Sequence, residues 1–401
     1  MMTFDEAYKT VIGFAKPGPS VVNRLTDAMG RTLSRDYEAV WDMPRFDNSA
    51  VDGYAVSQED TGRDQVRLHI AGRVGAGHDA STISVEPGST VEIMTGAGIP
   101  QGTAGIAMRE DVLADGDTAV VRSAIEPGRH IRRQGSEFQK GEVVVAAGTV
   151  VTPPVVSALA SWGIEWCEVM RPPKVGILVT GTELAEPGQE LSPGQIYESN
   201  SRGLLAALAG LGIEAKIGRC VDDAAETKAV LAHLLEECDV LVSSGGVSVG
   251  DLDFVRGALC ALDFETVVPR VAMKPGKPFV FATRTDGKVA FGLPGNPMST
   301  LVTYSVFVHP YLVKSMGWPE PAPFEAELEH GLENPGDRYE FVPATTSRLG
   351  PGLRVNPAPT VGSYSIAGLR DTDCLIDCPP GSSLAAGSKV QGRWLPWSKP
   401  R

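Results

Sequence analysis

The sequence predicts an α/β plus β protein of several domains: a doubly wound parallel-sheet domain, an inserted β domain and a small C-terminal β domain. Three observations carry this. Between Lys174 and Trp318, apolar strand-like runs alternate with amphipathic helical stretches, the β-α-β-α order that builds a parallel sheet. From about residue 54 to 138, short β-branched runs are separated by Gly, Pro and Asp-Gly turns. Beyond the proline-rich "WPEPAPFEAEL" at Trp318 the strand-and-turn texture resumes to the end. A chain of 401 residues also exceeds what one ordinary core holds. The expected divisions are 1–50 with 139–172 as a discontinuous linker and dimerisation domain, 51–138 inserted, 173–318 the α/β domain, and 319–401 the C-terminal β domain.

Along the chain, Thr3 to Ala15 reads as a helix opened by a Thr3-x-x-Glu6 capping box, with Phe4, Ala7, Val11 and Ile12 at helical spacing. A second helix is expected from Ser20 to Leu33, followed by the turn-rich "DMPRFDNSAVDGYAV" from Asp42 to Val56. In the α/β region, "KVGILVTG" is the continuous apolar run of a buried parallel strand. "SRGLLAALAGLG" and "DDAAETKAVLAHLLEECD" read as helices, the latter capped by Asp222 or Asp223. The long apolar stretch after Asn296 reads as a helix with Pro297 in its first turn.

Charge and composition exclude several functions. There are 36 basic and 49 acidic residues, a net charge of −13, which repels nucleic acid and anionic membrane. No apolar run approaches the roughly 18 residues of a membrane span. "MMTFDEAYKT" lacks the basic start and apolar core of a signal peptide, so a cytoplasmic location is expected. The six cysteines show no CxxC spacing and no histidine partners, which argues against structural zinc or a disulfide framework.

Open parallel sheets bind ligands beyond the carboxyl ends of their strands. There the sequence places Thr180 to Glu183, Asp222 and Asp223, the loop Ser244-Gly245-Gly246-Val247-Ser248-Val249-Gly250-Asp251, the Lys274-to-Lys277 turn, and Pro294-Gly295-Asn296-Pro297. Glycines let a backbone approach an anion closely, and lysines add charge. Carboxylates beside a phosphate point to a bridging Mg²⁺, here Glu183, Asp222 and Asp253, with Asp251 nearby. There is no GxxxxGK[ST] and no fingerprint GxGxxG, so neither a P-loop enzyme nor a dinucleotide dehydrogenase is indicated. The residues by themselves describe a binder of a phosphorylated, nucleotide-like ligand with metal.

The ordered motifs "FDNSAVDGYAV", "IMTGAGIP", "HIRRQGSEFQKGE", "VGILVTGTEL", "QIYESNS", "VSSGGVSVGDLD", "MKPGKPFVF" and "FGLPGNPMST", with "DRYEFVPA" and "VGSYSIAGL" in the tail, resemble the molybdopterin molybdenumtransferase family. This is the MoeA type, to which the gephyrin E domain is similar. The resemblance covers nearly the whole chain. It implies a molybdopterin-binding-like α/β domain and an enzyme of molybdenum cofactor biosynthesis. That enzyme inserts molybdate into the dithiolene of adenylylated molybdopterin, with Mg²⁺-dependent release of AMP. It further implies a homodimer, with molybdopterin adenylyltransferase and downstream molybdoenzyme or cofactor-maturation proteins as partners.

By motif, it assigns catalytic positions to Asp52, Thr95, Glu137, Glu183, Asp222 and Asp253. It assigns cofactor or oxyanion contacts to Ser244, Gly245, Gly246, Ser248, Asp251, Lys274, Lys277, Pro294, Asn296, Pro297, Ser299, Arg338 and Ser363. Two departures stand out. "RRQGSEF" carries Ser136 and Glu137 where the family has a glutamate and an aspartate, and "GTEL" carries Thr182 where an aspartate is common. Two other functions fit the same residues: a tungstate-inserting paralogue, and a cofactor-binding carrier or scaffold of the same fold with weak turnover.

Overall fold

A computed structural model describes residues 1–246, 254–349, 352–359 and 362–398. The chain forms two compact units, Met1–Val21 with Val169–Arg401, and Val22–Glu168.

The larger unit contains the α/β sheet. Its strands lie in the order Ala215–Cys220, Val175–Thr180, Val240–Ser244, Val289–Leu293, Val280–Thr283, Glu265–Val268. The first four are mutually parallel. Residues along each strand alternate between two cores. Ile177, Val179 and Val242 face Leu204, Leu208, Val302 and Phe307. Leu178 and Leu241 join Leu231, Leu234, Val255 and Leu259. Helices on both faces make the sheet doubly wound. One strand departs from the parallel expectation: Val280–Thr283 runs antiparallel to both neighbours. The cause is local, because Arg284 N–H bonds the Lys288 carbonyl across a turn containing Asp286-Gly287, and so short a connection joins only antiparallel strands.

The first helix, Phe4–Gly13, forms with the expected capping box between Thr3 and Glu6. It does not join the 139–172 segment. Phe4, Ala7, Val11 and Ile12 lie in the core of the α/β sheet, because their 3.6-residue stripe is covered there. The C-terminal region of the same unit closes a five-stranded barrel. Tyr339–Leu349 pairs Gly352–Pro357 and Cys374–Cys378, and Phe324–Leu328 with Lys389–Trp394 completes the ring. Arg393 Nε lies 3.0 Å from both oxygens of buried Asp377, and its guanidinium sits 5.2 Å from the Phe4 ring centre. The barrel is thus fastened to the first helix.

In the smaller unit, six strands take the order Thr103–Met108, Gly53–Ser57, Ser89–Ile93, Val66–Val74, Thr118–Val121, Val112–Asp115. Tyr37–Glu38 pairs Val143–Val145, so part of the early segment does meet the returning one. The helix expected over Ser20–Leu33 is absent. Ser20–Arg24 is a strand and Leu25–Ala28 a single 3₁₀ turn. Leu25 and Ala28 are both buried three apart, which a 3₁₀ turn satisfies as well as an α-helix does. Among the described residues no helix is long and apolar enough to cross a membrane.

Candidate active site

The carboxyl ends of the parallel strands end in register: Thr180 beside Cys220, Val179 beside Ser244, and Ser244 beside Leu293. The loops that follow line one cleft of about 930 Å³. Its lining includes Thr180, Glu183, Asp222, Ser244, Gly245, Gly246, Pro294, Asn296 and Pro297. The structure therefore brings together most of the sheet-edge residues that the sequence singles out.

Asp222 is the most firmly held. Thr180 Oγ1 donates to its Oδ1 at 2.7 Å, and Thr182 donates to Oδ2 from Oγ1 at 3.1 Å and from N–H at 3.3 Å. The helix Ala224–Glu237 does not use Asp222 as its cap. Asp223 does, accepting from Glu226 N–H at 2.9 Å. Thr182, standing where the family commonly has aspartate, serves here as a donor to Asp222.

The first two glycines of the loop adopt the conformation only glycine tolerates cheaply. Gly245 and Gly246 have φ of 96° and 68°, and a Cβ at Gly246 would sit 2.5 Å from Val255 Cγ2. Asn200, which sequence reasoning left without a role, ties this loop to its neighbour. Its Nδ2 donates to Ser244 Oγ at 2.8 Å and to the Gly295 carbonyl at 2.7 Å. The same stretch places Glu198 in the cleft wall at 2 % exposure, accepting from Ser201 N–H at 2.7 Å. The "QIYESNS" motif was the available signal for both. The helices that begin at Asn200 and Pro297 also start at the cleft, where the positive ends of their dipoles lie, with the Ser201 N–H already taken by Glu198.

Other expected contacts lie elsewhere in this unit. Lys274 and Lys277 are exposed, and Lys274 is paired with Glu340 at 2.9 Å. Ser299 is buried in the helix behind the loop. Arg338 is half-buried, 4.0 Å from Asp337. Ser363 accepts from Asn296 Nδ2 at 3.0 Å. Ser248, Asp251 and Asp253 lie outside the described residues.

Asp52, Thr95 and Glu137 belong to the smaller unit. Thr95 donates to Asp52 Oδ1 from N–H at 2.7 Å and from Oγ1 at 2.8 Å. The Thr95 peptide N–H, then its hydroxyl, hold the Asp52 carboxyl below the usual carboxylate range, with Arg109 and Arg73 assisting. Glu137 is exposed, and its N–H bonds the Met43 carbonyl at 2.9 Å.

Three family models match in order: the MoeA N-terminal region (domain I and II) over residues 2–163, the "Probable molybdopterin binding domain" over 176–314, and the MoeA C-terminal region (domain IV) over 325–392. A protein named molybdopterin molybdenumtransferase 2 from Mycobacterium tuberculosis is 35 % identical over 405 residues, covering 98 % of this chain and 99 % of its own. The chain belongs to the molybdopterin molybdenumtransferase family. A molybdopterin molybdenumtransferase from Haemophilus influenzae is likewise 35 % identical, over 85 % of each chain. A molybdopterin biosynthesis MoeA protein from Pyrococcus horikoshii superimposes with a TM-score of 0.84 at 30 % identity, covering 98 % of this chain and 99 % of its own. As a molybdenumtransferase-family enzyme, this chain carries its sheet-edge cleft within the segment matched by the molybdopterin-binding model, with one added wall from Tyr364 in the tail.

Proposed function

We propose that this enzyme of molybdenum cofactor biosynthesis inserts molybdate into the dithiolene of adenylylated molybdopterin and releases AMP. One observation carries the reading: a single cleft joins the Gly245-Gly246 turn and two helix starts, which suit phosphate, to the carboxylates of Glu183 and Asp222. In the reaction two Mo–S bonds form as molybdate oxygen leaves as water. The link between the two phosphates is cut by water, freeing AMP. No protein nucleophile is required.

Mg²⁺ typically takes one or two carboxylates and completes its octahedron with water and substrate phosphate oxygens. Glu183 and Asp222 fit that donor set, while no group of three metal-binding side chains occurs among the described residues. Bound there, the ion would supply positive charge to the leaving phosphate. Thr180 and Thr182 keep Asp222 oriented, and Asn200 holds the two glycine-bearing loops at a set spacing. Lys277, Ser299, Arg338 and Ser363 are the proposed oxyanion contacts. Lys274 serves there once it exchanges Glu340 for the anion. The homodimer, the upstream adenylyltransferase and the downstream cofactor-maturation partners belong to the same proposal.

Purified protein with adenylylated molybdopterin, Mg²⁺ and limiting molybdate should release AMP in step with molybdenum bound to the cofactor. Tight substrate binding without molybdate-dependent AMP release would replace this reading with that of a carrier protein.

A further inference from the structure

Two aromatic side chains line the cleft without belonging to any core: Tyr197 is 47 % exposed and Tyr364 74 %. Rings left in water gain nothing from burial, yet Tyr197 is held in place. The Tyr197 hydroxyl donates to the Gln189 carbonyl at 2.8 Å. This fastens the far end of the ring to the loop between the paired segments Leu184–Ala185 and Ile196–Tyr197. The Tyr364 ring lies against Gly362, where a Cβ would stand 2.2 Å from its Cε1. The adjoining Ser363 is tied by Asn296 to the loop that starts the Pro297 helix. Leu184, Ile196 and Pro294 add apolar surface to the same lining. The rest of the lining mixes glycine and proline with polar groups, among them the carboxylates of Glu183, Glu198 and Asp222, so a phosphate would seat on the glycine turn and helix starts with Mg²⁺ between it and the acids. A glycine turn and helix starts with unburied rings in one cleft match a ligand that carries a phosphate and a planar ring.

We propose that Tyr197 and Tyr364 form a ring-binding subsite that stacks on a planar heteroaromatic group of the phosphorylated substrate. This rests on the phosphate-binding reading of the cleft given above and adds what its outer wall takes. Two such groups occur in the proposed substrate, the adenine and the pterin. Both present a flat heteroaromatic face, the pterin through its pyrimidine ring, which tyrosine recognises without regard to edge pattern. Loss of one stacking ring lowers affinity by about 5- to 150-fold.

The test is calorimetry on the full chain in Mg²⁺ with AMP, with a pterin phosphate, and with ribose 5-phosphate, which lacks the ring. The wild type should bind at least one ringed ligand about 5-fold or more tighter than ribose 5-phosphate. Tyr197→Ala or Tyr364→Ala should erase that preference and leave ribose 5-phosphate binding unchanged, while Tyr197→Phe keeps the preference. Whichever ringed ligand weakens in the alanine variants identifies the group bound. Equal binding of ringed and ringless ligands by the wild type, or a preference untouched in both alanine variants, overturns the subsite and leaves the phosphate reading standing. Failure of all three ligands to bind the wild type overturns both.

Discussion

Asp222 and Asp223 are adjacent acids with separate tasks. Asp223 satisfies a helix N-terminus, which leaves Asp222 free to be oriented by two threonines. Asparagine caps a helix as well as aspartate does, so Asp223→Asn should retain stability and turnover. Asp222→Asn replaces one accepting oxygen with a donor and removes the charge. Molybdate-dependent AMP release should fall by about 100-fold or more, with the melting temperature changed only slightly. Equal effects of the two variants would remove Asp222 from the site. Asp52 offers a second test at this scale. Its folded pKa is depressed, so its carboxylate stays ionised to lower pH than a free one, and any stability it adds is lost as pH falls through that folded value. Thr95→Val removes the hydroxyl donor but keeps the peptide N–H. The Asp52 titration followed by NMR should therefore move upward, toward the ordinary carboxylate value, without reaching it.

The helix that begins at Pro297 both lines the cleft and changes its hydrogen-bond register along its length. It passes from α, Pro297–Thr303, through a π turn, Tyr304–Val308, into α again, His309–Ser315. Pro310 has no N–H for the preceding turn, and His309 N–H reaches back five residues to the Tyr304 carbonyl. Burial in this turn lowers the His309 pKa from 6.5 to about 4. The unfolded chain therefore takes up a proton between those values that the folded chain refuses. Stability should be full above pH 6.5 and decline as pH falls toward 4, by on the order of 1–2 kcal/mol after allowing for the ring's partial exposure. His309→Leu should flatten the melting temperature against pH in that window. A slope identical to wild type would show that other groups set it.

At the scale of the whole molecule, the cysteines report packing. Cys260 is exposed, while Cys167, Cys220, Cys238, Cys374 and Cys378 are buried. Burial also pushes the thiols of Cys167, Cys238, Cys374 and Cys378 upward, away from the reactive thiolate. A thiol reagent should label Cys260 rapidly and the other five only on unfolding. Labelling of Cys374 or Cys378 in the native state would mean that the five-stranded barrel opens. The same barrel is anchored through Arg393 and Asp377 to the first helix, which in turn lies in the α/β core. That chain of contacts explains why the first and last segments of the sequence share one compact unit.

What the sequence determined by itself was whatever depends on neighbours in the chain. The capping box at Thr3, the apolar run of Val175–Thr180 and the Gly245-Gly246 turn after Ser244 are local patterns, and each formed where it was legible. The carboxyl-edge loops were readable for the same reason, because parallel strands must end on one side. The Asp286-Gly287 turn that reverses Val280–Thr283 is equally local, but the β-α-β-α alternation around it reads as parallel throughout. Tertiary structure decided what depends on which surface covers an apolar stripe or which partner a polar group meets. The spacing of Leu25 and Ala28 suits an α-helix and a 3₁₀ turn alike. The first helix would bury its stripe against any complementary core, and it found the α/β sheet. Asp222 is held in the cleft wall because Thr180 and Thr182, some 40 positions away, fold against it while Asp223 takes the cap. Asn200 and Tyr197 acquired their places through hydrogen bonds to Gly295 and Gln189, contacts that no periodicity encodes.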